Sequence, residues 1–381
     1  MLFVIDDSII QQLTRPEIDP ELIQVLDDLG RFRRDGHNLI YASRRVLKIL
    51  SQNTLMSKVS VAVYKHLHQK SSQMGSMPNL FSRRIDIVDS LVNSETIEQN
   101  GRKVFRIHYK LLENILLFAK PILLAENQID AKIYIKIADA YLRLKSLPGI
   151  KLVYVPQGGG GNTTASEYHE IQAQKERLCL CILDSDQKTP LCRHGATSRR
   201  VKDCDDPEIC FTEYLVIRAR DIENLLPTEA FRQLDIYRDN DTISFLERLE
   251  SGSDYEARFH LDLKNGIKLG EIHHSSDASN IVRYWQPILS RSGLPRNTRC
   301  ASGPECTTAS ECVCSVSGFG SRVANQCYDD LFSKNSAQKN AELVSSNLDI
   351  RERWEEVGEL ITAWCCGSNR ISTISRSQDS Q

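Results

Sequence analysis

The sequence predicts an α/β fold built on a central parallel sheet that is flanked by helices. Strand-like and helix-like segments alternate between residues 121 and 216, and the strand candidates are PILLAE, IKLVYVP, LCLCILD and FTEYLVIR. These runs are largely apolar at consecutive positions, which is typical of strands buried on both faces. The helix after the first run carries Ile129, Ile133, Ile137 and Tyr141 at intervals of four. Such alternation produces a parallel sheet covered on both sides.

Three further regions surround this central domain, which we place at residues 110–235. Residues 1–95 form a small basic α/β domain, in which MLFVI and HNLIYA are strands. Asp19 and Ser43 are expected to cap its helices, and Pro20 suits the first helical position. Residues 236–367 form a helical, Cys-rich C-terminal region, and we expect residues 368–381 to be a disordered tail.

Composition and charge limit the class of protein. The chain has 381 residues and a net charge of −2. Its longest apolar runs fall short of the roughly 20 residues of a membrane helix. MLFVIDDSII has no basic segment before its apolar run, so it predicts a strand rather than a signal peptide. We therefore expect a cytoplasmic protein with no membrane partner.

One segment of the N-terminal domain is strongly basic. From Arg31 to Arg84 there are eleven Lys and Arg residues and a single acid, Asp35. Such a segment is either a solvated face or a contact surface for phosphates. Because a solvated face usually mixes both signs of charge, we expect this domain to contact nucleic acid.

Acidic residues follow two of the predicted central strands. Glu126 ends the first strand, and Asp184 and Asp186 follow the third. Asp130 lies one helical turn after Glu126. Since the carboxyl ends of parallel strands meet at one edge, these carboxylates should converge there. A hard cation, Mg²⁺ or Mn²⁺, would relieve their repulsion. Each acid taken alone is also compatible with a helix cap or a solvated loop.

A glycine run, Gly158, Gly159, Gly160 and Gly161, separates the second strand from the next helix. Backbone amides at a helix N-terminus bind anions, and glycine allows a phosphate to approach closely. The run is neither a P-loop nor a dinucleotide-binding motif, because the residues that should follow are missing. It is either a phosphate-binding loop or a flexible turn.

The order of these motifs resembles the TOPRIM pattern, which is a strand-end Glu, a Gly-rich turn and then Asp-x-Asp. That domain occurs in type IA and type II topoisomerases, bacterial primases and OLD-type nucleases. LLAENQIDAKIY resembles the glutamate motif of the family, with Asn127 where Gly is usual. RARDIENLLP resembles the Ile-Glu-Asn element of TOPRIM proteins allied to OLD nucleases and anti-phage systems, which adds Glu223. The resemblance covers residues 112–230.

This resemblance implies metal-dependent cleavage of phosphodiester bonds in DNA or RNA. The implied metal ligands are Glu126, Asp130, Asp184, Asp186 and Glu223, and Lys188 would contact a phosphate oxygen. OLD nucleases carry an ATPase, whereas this chain has no Walker A motif. The resemblance therefore implies a role as an anti-phage effector in which ATP hydrolysis either belongs to a separate ATPase subunit or is absent. A homo-oligomer is a candidate assembly. The alternative is a non-catalytic regulatory module that binds nucleic acid or an ATPase.

Two other families share parts of these motifs. ILDSDQKT is also similar to the first motif of haloacid-dehalogenase-type phosphatases, but that family has Thr or Val where Lys188 stands. FVIDDSII resembles the opening of PIN-like ribonuclease domains, which implies Asp6 as a metal ligand. Asp86 and Asp89 are candidates for the later acids of that pattern, although no strand is evident before them.

The chain contains twelve cysteines, which is many for a cytosolic protein. Zn²⁺ is a candidate cofactor, since zinc takes four ligands that often come in close pairs. One candidate set is Cys192, His194, Cys204 and Cys210; the other is Cys300, Cys306, Cys312, Cys314 and Cys327. Neither set contains a Cys-x-x-Cys pair, so ordinary thiols are the alternative.

Overall fold

The computed structural model describes residues 1–90, 94–268, 278–291 and 314–372. Its first sheet has five strands in the order β2-β1-β3-β5-β4. The first four are parallel, and β4 is antiparallel to β5. The strands are β1 Leu2–Ile5, β2 Leu39–Ala42, β3 Arg83–Val88, β4 Glu95–Gln99 and β5 Arg102–His108.

Four helices accompany this N-terminal sheet, and two of them begin where the sequence predicts. The carboxylate of Asp19 accepts a hydrogen bond from the Glu21 amide, and the Ser43 hydroxyl accepts one from the Val46 amide. Both predicted N-caps are therefore confirmed. The helices are α1 Ile9–Leu13, α2 Pro20–Arg34, α3 Arg44–Leu50 and α4 Lys58–Lys70.

The N-terminal domain differs from the prediction in extent. Strands β4 and β5 complete its sheet, so the boundary that we placed at residue 95 cuts through this sheet. Strand β3 is also unexpected, because its sequence RRIDIV has charged residues at alternate positions. Arg84 and Asp86 are buried there as an ion pair with 2.8 Å between Nε and Oδ1, which hides the strand from a hydrophobicity pattern.

The central sheet has four strands in the order β10-β9-β6-β8, and all of its pairings are parallel. Three helices connect them in sequence, which confirms the predicted parallel sheet flanked by helices. The elements of this part are β6 Ile122–Ala125, α5 Gln128–Leu144, β7 Lys151–Leu152, β8 Val155–Gly158, α6 Thr164–Gln174, β9 Cys179–Leu183, α7 Ala196–Cys204 and β10 Thr212–Val216.

Strands β6 and β9 are buried on both faces, as their apolar sequences predict. Alternate residues divide between two cores. Leu124 and Cys181 pack in the core that contains Tyr168 of α6 and Val201 of α7. Leu123 and Leu180 belong to the larger core on the opposite face. The division of alternate side chains between the two cores fixes the register of the sheet. The register in turn sets the position of every residue that follows a strand.

The C-terminal region completes the second face of the sheet. Helix α13, which carries the buried Trp354 and Trp364, packs on α5, and β13 pairs antiparallel with β7. Helices α9 and α13 confirm that this region is helical, as predicted. The elements are α8 Thr228–Arg232, α9 Asp241–Ser251, β11 Gly266–Lys268, α10 Ala278–Arg291, β12 Cys314–Ser317, α11 Val323–Cys327, α12 Ala337–Val344, α13 Leu348–Cys365 and β13 Cys366–Gly367.

The start of the predicted disordered tail is ordered. The Ser368 amide donates to the carbonyl of Gly36 at 3.1 Å, and the Ile371 amide donates to that of Arg34 at 2.9 Å. Arg370 also pairs with Asp35 at 2.8 Å. The tail prediction is therefore wrong for residues 368–372, because contacts with the N-terminal domain hold them. Residues 373–381 lie outside the described chain.

A half-buried carboxylate links the two sheets. Glu213 of β10 pairs with Arg83 of β3 at 2.9 Å and with Lys103 of β5 at 3.3 Å. The indole of Trp364 donates to the same carboxylate at 2.7 Å. Burial acts to raise the pKa of Glu213, but these three donors together hold it below its usual value. The N-terminal and central domains are thus joined by a satisfied polar contact.

We expect Glu213→Gln to destabilise the protein. Removing one member of a half-buried ion pair leaves the cations Arg83 and Lys103 partly uncompensated, and the expected loss is about 1–3 kcal/mol in the free energy of unfolding, less than for a fully buried pair. Urea unfolding at neutral pH measures it, with the exposed Glu208→Gln as the matched control. An unchanged unfolding free energy for Glu213→Gln would show that this contact does not join the domains.

Within the described ranges, no helix combines the length and the apolar character that crossing a bilayer requires.

Candidate functional site

The carboxyl ends of the central strands bring together acids that are far apart in sequence. Strands β6 and β9 are neighbours, with Ala125 opposite Ile182. Glu126 follows β6 directly and Asp184 follows β9 directly. On the far side of β9, the chain after β10 carries Asp221 and Glu223. The structure therefore places the predicted acids at one edge of the sheet.

Glu126 has one carboxyl oxygen without a partner. Its Oε1 is buried and accepts no hydrogen bond from the described residues. Burial, together with the charges of Asp186 and Asp130, raises the pKa of Glu126 to about 7. A buried acceptor without a donor is costly, so this oxygen is available for a cation.

Asp184 and Asp186 lie in different environments. Asp184 is buried and accepts a 3.4 Å hydrogen bond from the hydroxyl of Tyr134. Burial, with Asp221 and the other acids, raises its pKa well above the usual range. Asp186 is exposed and has φ of 54°, so the extended segment stops before it. The two carboxylates therefore do not follow one extended segment, although the charge of Asp186 contributes to the raised pKa values of Glu126 and Asp221.

Asp130 serves as a helix cap. Its Oδ2 accepts hydrogen bonds from the Asn127 backbone amide at 3.0 Å and from the Asn127 side chain at 3.2 Å. The residue is buried, and burial raises its pKa. Asn127, which stands where the TOPRIM pattern usually has Gly, is the N-cap of α5. One oxygen of Asp130 is thus committed to the helix, which weakens the prediction that it binds metal.

Asp221 and Lys264, which we did not identify from the sequence, complete the acidic edge. Lys264 Nζ lies 3.2 Å from Glu223 Oε2 and 3.8 Å from Asp221 Oδ1. Burial raises the pKa of Glu223 to about 7. Burial acts to lower the pKa of Lys264, but Glu223, Asp221 and Asp184 hold it above its usual value. Lys264 therefore neutralises part of the cluster from outside the predicted central domain.

The negative charge of this edge exceeds the positive charge that contacts it. Among the described residues, the cations paired with the cluster are Lys264 and Arg220, and Arg220 also binds Asp262 at 2.7 Å. The acids are Glu126, Asp130, Asp184, Asp186, Asp221 and Glu223. In their present side-chain positions, no three His, Cys, Asp or Glu residues of the described chain surround one point as metal ligands. A cation would have to draw side chains together.

Lys188 is exposed, and its side chain makes no ion pair within the described chain. Its backbone is held, since its carbonyl accepts a 2.8 Å hydrogen bond from the indole of Trp285. The carbonyl of the preceding Gln187 lies 3.0 Å from Nδ1 of His260. The loop that carries Lys188 is thus anchored, while the ammonium group is free to contact a ligand.

The glycine run supports Glu126 rather than presenting free amides. Gly159 donates to the Ala125 carbonyl at 2.8 Å. Gly160 and Gly161 donate to the Glu126 carbonyl at 3.0 and 3.2 Å, and both have positive φ. Three of the four predicted phosphate-binding amides are therefore used inside the protein. The glycine run, which begins with Gly158 at the end of β8, is better described as a turn that positions Glu126.

Gly195 lets Asp186 fit against the backbone. A Cβ placed on Gly195 would lie 1.9 Å from Asp186 Oδ2 and 2.6 Å from its Cβ. The Gly195 amide also donates to the Ser185 carbonyl at 2.9 Å, which joins the Asp184–Asp186 turn to α7.

We expect Gly195→Ala to displace Asp186 and to lower any cleavage activity of this edge by roughly 100-fold, because small misplacements of catalytic groups have effects of that size. Cleavage rate and melting temperature are measured together. Gly75→Ala is the control, since nothing lies within 4 Å of the added Cβ. Full activity in Gly195→Ala would mean that Asp186 does not take part.

The acids predicted in the N-terminal domain lie at the ends of its parallel strands. Asp6 follows β1, and Asp89 follows the unpredicted strand β3. Asp89 accepts hydrogen bonds from Gln12 Nε2 at 3.0 Å. Asp86, by contrast, is engaged by Arg84. A strand, β3, therefore does precede Asp89, although none was evident from the sequence. The PIN-like resemblance stays a prediction.

Four of the eleven cations of the basic stretch are neutralised within the protein. Arg31, Arg34, Arg83 and Arg84 pair with carboxylates. Six other cations are exposed and have no ion pair among the described residues. They lie on α3 and α4, which pack together: Arg44, Arg45, Lys48, Lys58, Lys65 and Lys70.

The structure provides no zinc site in the chain it describes. Cys192 accepts from the Thr189 hydroxyl at 3.2 Å, and Cys204 donates to the Val201 carbonyl at 3.3 Å, so these thiols have separate partners. His194 is exposed. Of the second set, Cys327 is a buried free thiol on α11, and Cys314 begins β12. Cys300, Cys306 and Cys312 lie outside the described residues.

Comparison with known proteins identifies no relative. No protein-family model matches the chain, and neither a curated protein nor a solved structure is significantly similar to it.

Proposed function

We propose that the chain is a metal-dependent nuclease that cleaves phosphodiester bonds in DNA or RNA at the acidic edge of the central sheet. One observation supports this most strongly. Glu126, which is half-buried and has one buried, unpartnered carboxyl oxygen, shares one sheet edge with Asp184 and Glu223. Carboxylates at such an edge repel one another and favour a cation.

The donor set suits Mg²⁺ or Mn²⁺, since these ions take carboxylate oxygens together with water and phosphate oxygens. Glu126 and Asp184 are the proposed principal ligands, with Asp186 and Glu223 as further ones. Asp130 would contribute through its second oxygen, because the first holds the helix cap. When bound, the ion would supply Lewis-acid activation of the phosphate and of water.

The residues of the chain itself would bind and orient the substrate. Lys264, held by Glu223 and Asp221, places a positive charge at the edge where phosphate would bind. Lys188 is exposed on the anchored loop after Asp186 and would contact a second oxygen. The exposed cations of α3 and α4 would hold the backbone of a longer nucleic acid without reading its sequence. A separate ATPase and a role in anti-phage defence enter the proposal only through the TOPRIM resemblance.

The test is a cleavage assay on plasmid DNA and on tRNA, with Mg²⁺ or Mn²⁺ and with EDTA. The full chain is compared with Glu126→Ala and with Glu113→Ala, an exposed glutamate outside the cluster. We expect cleavage by the wild type and by Glu113→Ala, and none by Glu126→Ala or in EDTA. Equal cleavage by Glu126→Ala would refute the assignment of the site.

A second candidate is a non-catalytic module that binds nucleic acid. It is favoured by the fact that no metal-ligand set is assembled in the described chain. One comparison, of nucleic-acid binding with nucleic-acid cleavage, distinguishes the two candidate functions. Nucleic-acid binding without cleavage under every metal condition, alone or with a purified ATPase partner, would select the binding module.

A further inference from the structure

Arg33 is a buried cation without a partner. Its side chain, on the last turn of α2, is 9% exposed. Its Nε and Nη1 are buried, and no described residue accepts a hydrogen bond from either. Desolvation lowers the pKa of the guanidinium to about 10, and no carboxylate of the described chain offsets that shift. Burying a charge in this way is costly unless a partner compensates it.

Two groups on the neighbouring helix are also basic. Burial, with the positive charges of Lys70 and Arg33, lowers the pKa of His66. Lys70 lies one turn after His66 on α4 and is exposed. Helices α2 and α4 pack together, so Arg33, His66 and Lys70 are basic groups of one helix pair, which we call the Arg33 cluster.

The acids on α2 and at its C-terminal end do not offset the charge of Arg33. Asp27 pairs with Arg31 at 3.1 Å and accepts from the Ser57 hydroxyl at 2.7 Å. Asp28 Oδ2 accepts from Gln24 at 2.6 Å, whereas its buried Oδ1 has no hydrogen-bond partner among the described residues. Asp35 pairs with Arg34. The shortage of negative charge at Arg33 is thus a property of this helix pair, although acids are present on the same helix.

The cluster is built on a rigid contact. The hydroxyls of Ser60 and Tyr64 each donate at 2.7 Å to backbone carbonyls of α2, those of Asp27 and Leu26. Gly30 lies so close to Ser60 that a Cβ on it would be 2.8 Å from the Ser60 Cβ. Arg33 lies one turn beyond Gly30. The helix contact therefore holds the backbones that carry Arg33 and His66 in place before any ligand arrives, which lowers the entropic cost of binding.

We propose that the Arg33 cluster binds one phosphate group of a nucleic-acid backbone and anchors the strand on the basic face of α3 and α4. A planar guanidinium suits a phosphate better than any other common anion, because it donates in a fork. Nε and Nη1 of Arg33 are enclosed and unpartnered in this structure, so the side chain, on the last turn of α2, would turn outward to present them to the phosphate. The exposed Lys65, on the same helix as Lys70, continues the positive surface beyond the cluster. This inference rests on the nucleic-acid partner of the proposed function, but it concerns binding and does not require cleavage.

The test measures binding of the full chain in EDTA, where the proposed metal site cannot act. The probes are a fluorescently labelled 20-base-pair DNA duplex and a 20-nucleotide RNA, each titrated by anisotropy at several salt concentrations. The variants are Arg33→Met, Arg33→Lys and a charge-matched control, Arg15→Met. Arg15 is an exposed arginine of the same domain with no ion pair among the described residues. Thermal melting of each variant accompanies the titrations.

We expect Arg33→Met to weaken binding of at least one probe by roughly 10- to 100-fold, since charged hydrogen bonds have effects of that size. Its slope of log K against log salt should fall by about 0.9, the loss of one phosphate contact. Arg33→Lys should recover part of the affinity, and Arg15→Met should bind as the wild type does. The melting temperature of Arg33→Met should stay level or rise, because an unpaired buried charge has been removed.

Wild-type affinity and salt slope in Arg33→Met would overturn the inference, and so would an equal loss in Arg15→Met. A lowered melting temperature with unchanged binding would make Arg33 a structural residue and would overturn it as well. These outcomes differ from a failure of the proposed function, in which the wild type binds the probes in EDTA but cleaves nothing when Mg²⁺ or Mn²⁺ is added.

Discussion

Replacing Asp184 by Asn is expected to abolish cleavage and to stabilise the metal-free protein. Asn has the same shape but no charge, so it would lose a proposed metal ligand and also remove a repulsive, buried carboxylate. Burial and the neighbouring acids raise the pKa of Asp184 well above its usual range. We expect cleavage to fall by about 1,000-fold or more, since carboxylate-bound metal supplies several kcal/mol of transition-state stabilisation. Initial cleavage rates measure this loss.

The same variant should melt at a higher temperature than the wild type in EDTA, because its site no longer holds an uncompensated acid. Asp203→Asn on the exposed face of α7 is the control and should change neither property. An Asp184→Asn protein that cleaves at the wild-type rate would remove Asp184 from the site. A variant that is inactive but also strongly destabilised would indicate a structural role instead.

The second large effect is a loss of metal-free stability as the pH rises. Glu126 and Glu223 have ordinary values of 4.5, and the folded protein raises the pKa of each to about 7, mainly through burial. The folded state therefore holds more protons than the unfolded chain between these values. This stabilisation is fully present below pH 4.5 and is lost as the pH rises through 7. In EDTA the loss should be on the order of 3 kcal/mol between pH 5 and pH 8.

Urea unfolding in EDTA at pH 5, 6, 7 and 8 measures this dependence. The comparison is with the double variant Glu126→Gln/Glu223→Gln, whose pH dependence should be flatter. Burial lowers the pKa of His37 and His260, and these groups favour the opposite trend. They are common to both proteins and cancel in the comparison. Mg²⁺ should restore stability to the wild type at pH 8. Identical pH profiles for the two proteins would contradict the charge arrangement that we describe.

The acidic edge could be predicted because it depends on short-range sequence features. An apolar strand that ends in an acid is visible in ILLAE and CILD, and parallel pairing places both ends at one edge. The caps at Asp19 and Ser43 could be predicted for the same reason, since a cap and its helix are adjacent in sequence.

The features that we did not predict either depend on contacts between residues far apart in sequence or resemble a motif that has another function. Lys264 reaches the edge from a turn before β11, and no periodicity connects it to Glu223. Asp221 stood two residues before a residue that we identified, and a look at the strand-end segment as a whole could have found it. The glycine run satisfied a composition rule for phosphate binding, but its amides serve the Glu126 carbonyl. Strand β3 was hidden because its charges are paired inside the protein.

The central claim is that Glu126 and Asp184 bind a divalent cation, and crystals of the full chain soaked in Mn²⁺ test it most directly. Anomalous diffraction locates manganese without reference to any activity. We expect an anomalous peak at the carboxyl edge of the central sheet, about 2.2 Å from oxygens of both residues. That distance is typical of such ions with carboxylates. The peak should be absent from crystals of Asp184→Asn. A manganese ion bound elsewhere, or no ion at this edge at saturating Mn²⁺, would contradict the claim.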